Sequence, residues 1–453
     1  MTTTTPPVLV EPSQNWSCHQ SGTCCGTFPH IPVDAEAARV MANHDYGRLQ
    51  QETGLTVARF EEGVEPAPDD PRVSTGLRLR RHAPGPADPH LAGHPADCVF
   101  HCADQACGLH RIFGDRGKPQ LCRDFPYRFR QTPSGTVIGL SFVCPSVRGN
   151  QGKPLVEQTE QLALHAAEAF APQFHSGEVY LNPKLHMEWN DYLELESGLI
   201  ELVERPALPL AVRLRALHIA VNMLDLLHQA THGATEPMAP PRGMATGFVP
   251  DALKALRKEG WSAVWRVAAR PAKPTLLQRM FLGMMTGFAT SLWTPRHPAL
   301  VGLGIFWHYA RHASGWGSVQ LRPLSGAAPH VCLAQVRFPA PTSNAGRLLD
   351  RYVRHSLFRK DLAFAPDVRR GLNLLLVNLA LIRWYAAAHA FLRNRPVTEM
   401  IEEDWSEAMR HVETLYGLNS RLYQRLSDLP VLDAVLESTF RRKEFPFIIT
   451  GER

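Results

Sequence analysis

Cysteine is the residue type here with the most chemistry to offer, and its distribution is uneven. Eight of the nine, Cys18, Cys24, Cys25, Cys98, Cys102, Cys107, Cys122 and Cys144, precede residue 145 of a 453-residue chain, and only Cys332 lies beyond. The spacing runs Cys18-x5-Cys24-Cys25, then a 72-residue gap, then Cys98-x3-Cys102-x4-Cys107-x14-Cys122-x21-Cys144. Three chemistries compete for this pattern. Disulfides belong to oxidising compartments and small secreted domains, which nothing here suggests. Inert core thiols are the bland reading, but a proline- and glycine-rich segment offers little apolar core for eight of them; for Cys332 alone that reading wins. Metal ligation is the third, because soft thiolates suit zinc and iron–sulfur clusters and one tetrahedral site takes four ligands.

Adjacent side chains on an extended backbone point apart, so Cys24 and Cys25 could share one metal only on a tight turn, for which Gly22 and Gly26 are well placed. His19, His30, His101 and His110 stand beside the cysteines, but with 21 histidines in the chain such neighbours arise by chance. In the CRDFP stretch, Arg123 and Asp124 read as an ion pair in a turn set by Pro126. Metal would tie the first cysteine group to the second, and that free energy is folding free energy.

The elements that must position these residues divide near residue 150. Residues 1–150 form a cysteine-cluster domain, with a proline-rich loop over 65–97 carrying seven prolines; residues 151–453 form an α-helical domain. In the latter, Leu210, Leu214, Leu217, Val221 and Leu224 follow one helical face behind Pro209. Helices are also predicted over Leu155–Phe170, Thr275–Leu292, Arg347–Phe358, Val368–Arg393 and Glu403–Tyr416, with 236–243 as a connection. Short strands are predicted at Thr136–Val143, Ser318–Leu321 and Val331–Phe338. The fold class is mainly α: a small cysteine-rich metal-binding domain with few short strands, then a helical domain.

Composition limits the remaining options. With 44% hydrophobic and 20% charged residues, 453 residues can build two or three domains with real cores. The net charge of +5 is spread along helices and gathers in no basic run, so no nucleic-acid partner is expected. The apolar stretches Leu372–Ile382 and Met280–Trp293 fall short of a bilayer span of ~20 residues. They are expected to be core helices, with no membrane insertion. MTTTTPPVLVEPSQNW carries no basic region followed by an apolar one, which makes the cytoplasm the expected compartment.

The segments WSCHQSGTCCG and CVFHCADQACGLHRIFGDRGKPQLCRDFPY together resemble the YkgJ-type cysteine-cluster family, described as a zinc- or iron-chelating domain. The continuation GTVIGLSFVCPSVRG is similar, more narrowly, to its flagellin lysine N-methylase (FliB) branch, as are LLDRYVRHSLF, NLALIRWYAAAHAF and MIEEDWSEAMRHVE further on. Carried over by position, the family's cluster cysteines fall on Cys18, Cys24, Cys25, Cys98, Cys107, Cys122 and Cys144. Cys102 is an extra, and Ser21 stands where the short form has a further cysteine. The resemblance implies an iron–sulfur centre, of the 4Fe-4S type, or zinc. It also implies methyl transfer from S-adenosylmethionine to a lysine of a protein partner such as flagellin.

The residues themselves carry no signature of that chemistry. A radical-type cluster needs Cys-x3-Cys-x2-Cys, and after Cys98 and Cys102 the third position is Gln105. Gly302 and Gly304 in VGLGIFW lack the third glycine of a dinucleotide fingerprint, and no GxSxG, HExxH or P-loop pattern occurs. No catalytic residue is named by sequence. Besides the methylase, the pattern fits a non-enzymatic chelating module with a partner-binding helical domain, and a redox sensor using Cys24 and Cys25.

Overall fold

The computed structural model describes residues 7–22, 25, 31–53, 58–67, 75–81, 98–102, 106–169, 172–232, 248–270, 318–320, 327–329, 336–416, 437–440 and 445–450. The chain is mainly helical, with small sheets. Two compact units emerge: one of residues 1–131, 135–173 and 323–325, the other of 132–134, 174–322 and 326–453.

The first unit contains β1 (Val8–Val10), α1 (Ala35–Ala42), α2 (Tyr46–Thr53), α3 (Phe60–Gly63), β2 (Val64–Pro66) and β3 (Leu77–Leu79). It continues through α4 (Gly108–Phe113), α5 (Gln120–Asp124), β4 (Tyr127–Thr132), β5 (Gly135–Leu140), α6 (Pro145–Arg148), α7 (Thr159–Ala167) and β6 (Gln173–Phe174). Its sheet runs β1-β5-β4-β6, with β1 parallel to β5 in the register Val8 to Thr136 and Val10 to Ile138. Gly135 lets β1 approach. Its φ is +125°, and a Cβ there would lie 2.3 Å from the Pro7 carbonyl oxygen. The predicted strand over Thr136–Val143 is β5, ending at Leu140 because Ser141–Cys144 turn into α6.

At the start of the proline-rich 65–97 segment, β2 and β3 pair antiparallel, Val64 to Leu79. That ribbon is extended and ordered, with no helix, as the prolines lead one to expect; residues 68–74 and 82–97 lie outside the described set. Over it sits an apolar core of Ile31, Val33, Ala37, Met41, Val64, Leu79, Phe100 and Leu109, which also takes in Cys25 and Cys98. A large side chain so buried contributes roughly 1.5–3 kcal/mol.

The second unit opens with the hairpin β7 (Val179–Asn182) and β8 (Leu185–Met187), then α8 (Trp189–Val203), α9 (Leu210–His232), α10 (Phe248–Lys258) and α11 (Ser262–Ala268). The strand pair β9 (Ser318–Gln320) and β10 (Ala327–Pro329) follows, then α12 (Asn344–Phe358), α13 (Val368–Leu392), α14 (Glu402–Tyr416) and α15 (Phe445–Thr450). Helix α9 starts where the Leu210 stripe predicts, and β9 covers most of the strand expected at Ser318–Leu321. Helix α12 begins three residues earlier than periodicity suggests, because the Ser343 hydroxyl accepts from Gly346 N at 3.0 Å. Asp367 caps α13 in the same way at 2.8 Å. The expected helix over Leu155–Phe170 is split, a 3-10 turn at Leu155–Gln158 preceding α7. The helix at Thr275–Leu292, the connection at 236–243, the stretch Met280–Trp293 and most of the strand at Val331–Phe338 lie outside the described residues.

Helix α13 extends well past the apolar run Leu372–Ile382. It is long and apolar enough to cross a membrane, the one such helix among the described residues, but 94% of its most apolar window is buried inside the protein. It is the central helix of this unit, packed by α14, α9 and α15.

Candidate thiol and metal site

Four backbone devices bring cysteines into the core of the first unit. Gly22, at φ +66°, turns the chain so that Cys25 N donates to the Gly22 carbonyl at 2.8 Å. The Arg81 guanidinium binds the Cys25 carbonyl, and Arg81 itself bridges Cys98 through the backbone. Residues 98–102 meet 106–108, His101 opposite Cys107 and Gly108 N on the Phe100 carbonyl at 2.8 Å, which leaves Cys107 capping α4. Asp34 serves two helices: Oδ1 accepts from Ala37 N at 2.9 Å in α1, and Oδ2 accepts from Gln120 N at 2.6 Å in α5, the helix that carries Cys122.

Cys25 and Cys98 are consequently buried in one apolar core, with Cys107 and Cys122 packed against it. The Cys25 and Cys107 thiols are hydrogen-bonded to each other. That bond is the largest reason the Cys107 thiol is held down at about 6; burial opposes it, and the His110 and Leu109 backbone amides and the Lys118 charge assist. Burial works against the Lys118 ammonium, yet Asp115, at 2.8 Å, and the charges of Cys107 and Cys122 raise its pKa. Burial likewise opposes ionisation of Asp115, but Lys118 and the nearby His110 and His165 hold it low.

The remaining cysteines sit differently. Cys18 is exposed, Cys144 is buried at the N-cap of α6, and both lie close enough to Tyr127 that their charges, after burial, raise its phenol well above the ordinary range. The arm carrying Cys18 is zipped to residues 151–154, with Trp16 N on the Lys153 carbonyl at 2.9 Å, and Gly152 at φ +105° leaves room for Ser17. Cys102 is half-buried, Sγ 4.0 Å from the Phe100 carbonyl. Cys24, Cys332, Gly26 and His30 lie outside the described residues. Of the histidines beside the cysteines, His19 Nδ1 meets Ser146 Oγ at 3.0 Å and His110 Nδ1 meets Asp115 at 3.3 Å.

The donor chemistry suits a soft metal: cysteine side chains in and against an apolar core, the Cys107 thiol held down at about 6, with a lysine to offset charge. The assembly is partial. Among the described residues no three His, Cys, Asp or Glu side chains stand together closely enough to hold an ion.

Two features escaped sequence reasoning. Arg123 and Asp124 do not pair: Arg123 binds Gln120 Oε1, while Asp124 accepts from Gln120 Nε2 at 2.6 Å and meets His165 Nε2 at 3.1 Å. Consecutive helical residues point about 100° apart, which separates the two charges. In the second unit, Lys360 Nζ pairs with Glu196 Oε1 while Tyr192 Oη donates to Oε2 at 2.8 Å. Nearby in sequence, the buried Arg359 is clamped by Asp361 and Glu413.

No family model, curated protein or solved structure matches the chain.

Proposed function

We propose that the cysteines of the first unit bind a metal centre, a 4Fe-4S cluster or zinc. We further propose that the chain, in the cytoplasm, transfers a methyl group from S-adenosylmethionine to a lysine of a protein such as flagellin. One observation carries the metal reading: Cys25, Cys98, Cys107 and Cys122, scattered over 98 residues of sequence, share one apolar core beside Lys118. These four would hold the metal, with Cys18, Cys24 and Cys144 as the further candidates. Thiolates would supply the soft ligands, Lys118 would offset part of their negative charge, and Asp115 would hold Lys118 in place. The methyl-transfer reading rests on the sequence resemblance of GTVIGLSFVCPSVRG, LLDRYVRHSLF, NLALIRWYAAAHAF and MIEEDWSEAMRHVE to the methylase branch.

A chelating module without catalysis, whose helical unit binds a partner, is the second reading, favoured by the lack of any methyl-donor fingerprint in the sequence. Anaerobic purification with an absorption spectrum and elemental analysis tests the metal claim. Broad visible absorbance with iron and acid-labile sulfide, or colourless protein with stoichiometric zinc, supports it; metal-free protein that takes up neither on reconstitution overturns it. Binding of labelled S-adenosylmethionine, followed by transfer to flagellin lysine, separates the two readings.

A further inference from the structure

We propose that Cys25 and Cys107 form a peroxide-responsive dithiol that closes to a reversible disulfide. Two observations point to this pair among the described cysteines. Their thiols are hydrogen-bonded to each other. Their surroundings also differ, Cys25 being 6% exposed within the core while Cys107 is half-buried at its edge. A less buried sulfur beside a sequestered one is the arrangement in which the first meets the oxidant and the second resolves the product.

Both backbones are fixed from outside the pair. Arg81 holds the Cys25 carbonyl, and the His101 bridge together with helix α4 holds Cys107. Closure to the ~2.05 Å bond of a disulfide therefore starts from two sulfurs already hydrogen-bonded to each other. The oxidant is a hydroperoxide. Cys107 Sγ attacks one peroxide oxygen, the O–O bond breaks, and the leaving oxygen takes the thiol proton away as water or alcohol, leaving a sulfenic acid. Cys25 Sγ then attacks Cys107 Sγ, the S–O bond breaks, and the second oxygen departs as water with the Cys25 proton. Two thiols and one hydrogen peroxide become one disulfide and two waters, the sulfur pair oxidised by two electrons and the peroxide reduced. The step needs no metal, so its test on metal-free protein is separate from the test of the metal reading.

The full-length chain, stripped of metal under reducing conditions and desalted, is treated with one equivalent of hydrogen peroxide, alkylated, digested without reduction and mapped by mass spectrometry. The expected result is loss of two thiols, a crosslinked peptide pair whose fragments assign the bond to Cys25 and Cys107, and full reversal by dithiothreitol. Cys25→Ser is expected to stop at a sulfenic acid that dimedone traps on Cys107. A first disulfide that joins any other cysteines in the wild-type chain, including Cys24, overturns the proposal. So does survival of both thiols through ten equivalents of peroxide.

Discussion

Replacing Cys25 with alanine removes the largest influence holding the Cys107 thiol down, and the consequence can be worked out. With the Cys25 thiol donating to it, Cys107 ionises at about 6 rather than 9.0. At pH 7 it is then ~90% thiolate, where an ordinary thiol is ~1%. Without that donor, burial faces only the α4 backbone amides and Lys118, and the midpoint should move up towards 9.0. Cys25→Ser keeps a hydroxyl donor and should hold the midpoint nearer 6. The assay is iodoacetamide labelling of metal-free protein at a series of pH values, each cysteine read separately by mass spectrometry. The midpoint is the quantity to compare, because thiolate nucleophilicity itself falls with pKa and distorts a rate taken at one pH. A group whose pKa is depressed by folding stabilises the fold above its unfolded pKa and loses that contribution as pH falls through the folded value. The first unit should thus gain up to about 4 kcal/mol between pH ~6 and ~9, and Cys25→Ala should flatten that rise. A wild-type midpoint above ~8, or a midpoint unmoved by Cys25→Ala, would refute the reasoning.

In the second unit, Glu196→Gln leaves the Lys360 ammonium buried with no carboxylate opposite, and unfolding in urea should show a loss of about 3–5 kcal/mol; Glu196→Gln with Lys360→Met should recover most of it. A single-variant loss below ~1 kcal/mol would count against the pair. His389 is buried beside His411, and burial pulls its pKa down to about 4, so the unfolded chain binds its proton first. That contribution to stability is present above pH ~6.5 and lost as pH falls towards ~4, by about 3 kcal/mol, and His389→Gln should shrink the acid sensitivity seen in a thermal melt. Gly63→Ala would place a methyl 2.1 Å from the Phe100 ring. It should cost about 1–3 kcal/mol and loosen the core around Cys25 and Cys98, read as faster alkylation of both.

The helices were legible where their stripe was regular. The Leu210 to Leu224 face and the apolar run of α13 needed only period 3.6, while the starts of α12 and α7 were set by a serine cap and a 3-10 turn that periodicity does not register. The cysteines were legible as a group but not in their partition. Spacing does not say that Cys107 packs beside Cys25 at the edge of the core while the charges of Cys18 and Cys144 reach Tyr127, because that depends on Arg81 and Asp34 tying distant segments together. The ion pair expected at Arg123 and Asp124 failed for a local reason, helical geometry, and the partner that Asp124 takes instead, His165, is 41 residues away.

The Cys25–Cys107 contact also makes two chemistries exclusive. A metal held by both sulfurs would need them as thiolates, whereas a disulfide leaves neither with a charge or a lone pair soft enough to ligate. Lys118 separates them further, since its ammonium is favoured by charge on Cys107 and Cys122 and loses that stabilisation when Cys107 is oxidised. Metal uptake and peroxide sensitivity should therefore run in opposite directions: protein loaded with metal should resist the crosslink, and crosslinked protein should fail to load until reduced. Equal crosslinking with and without bound metal would mean that Cys25 and Cys107 are not both ligands, and would move the metal to the cysteines that remain.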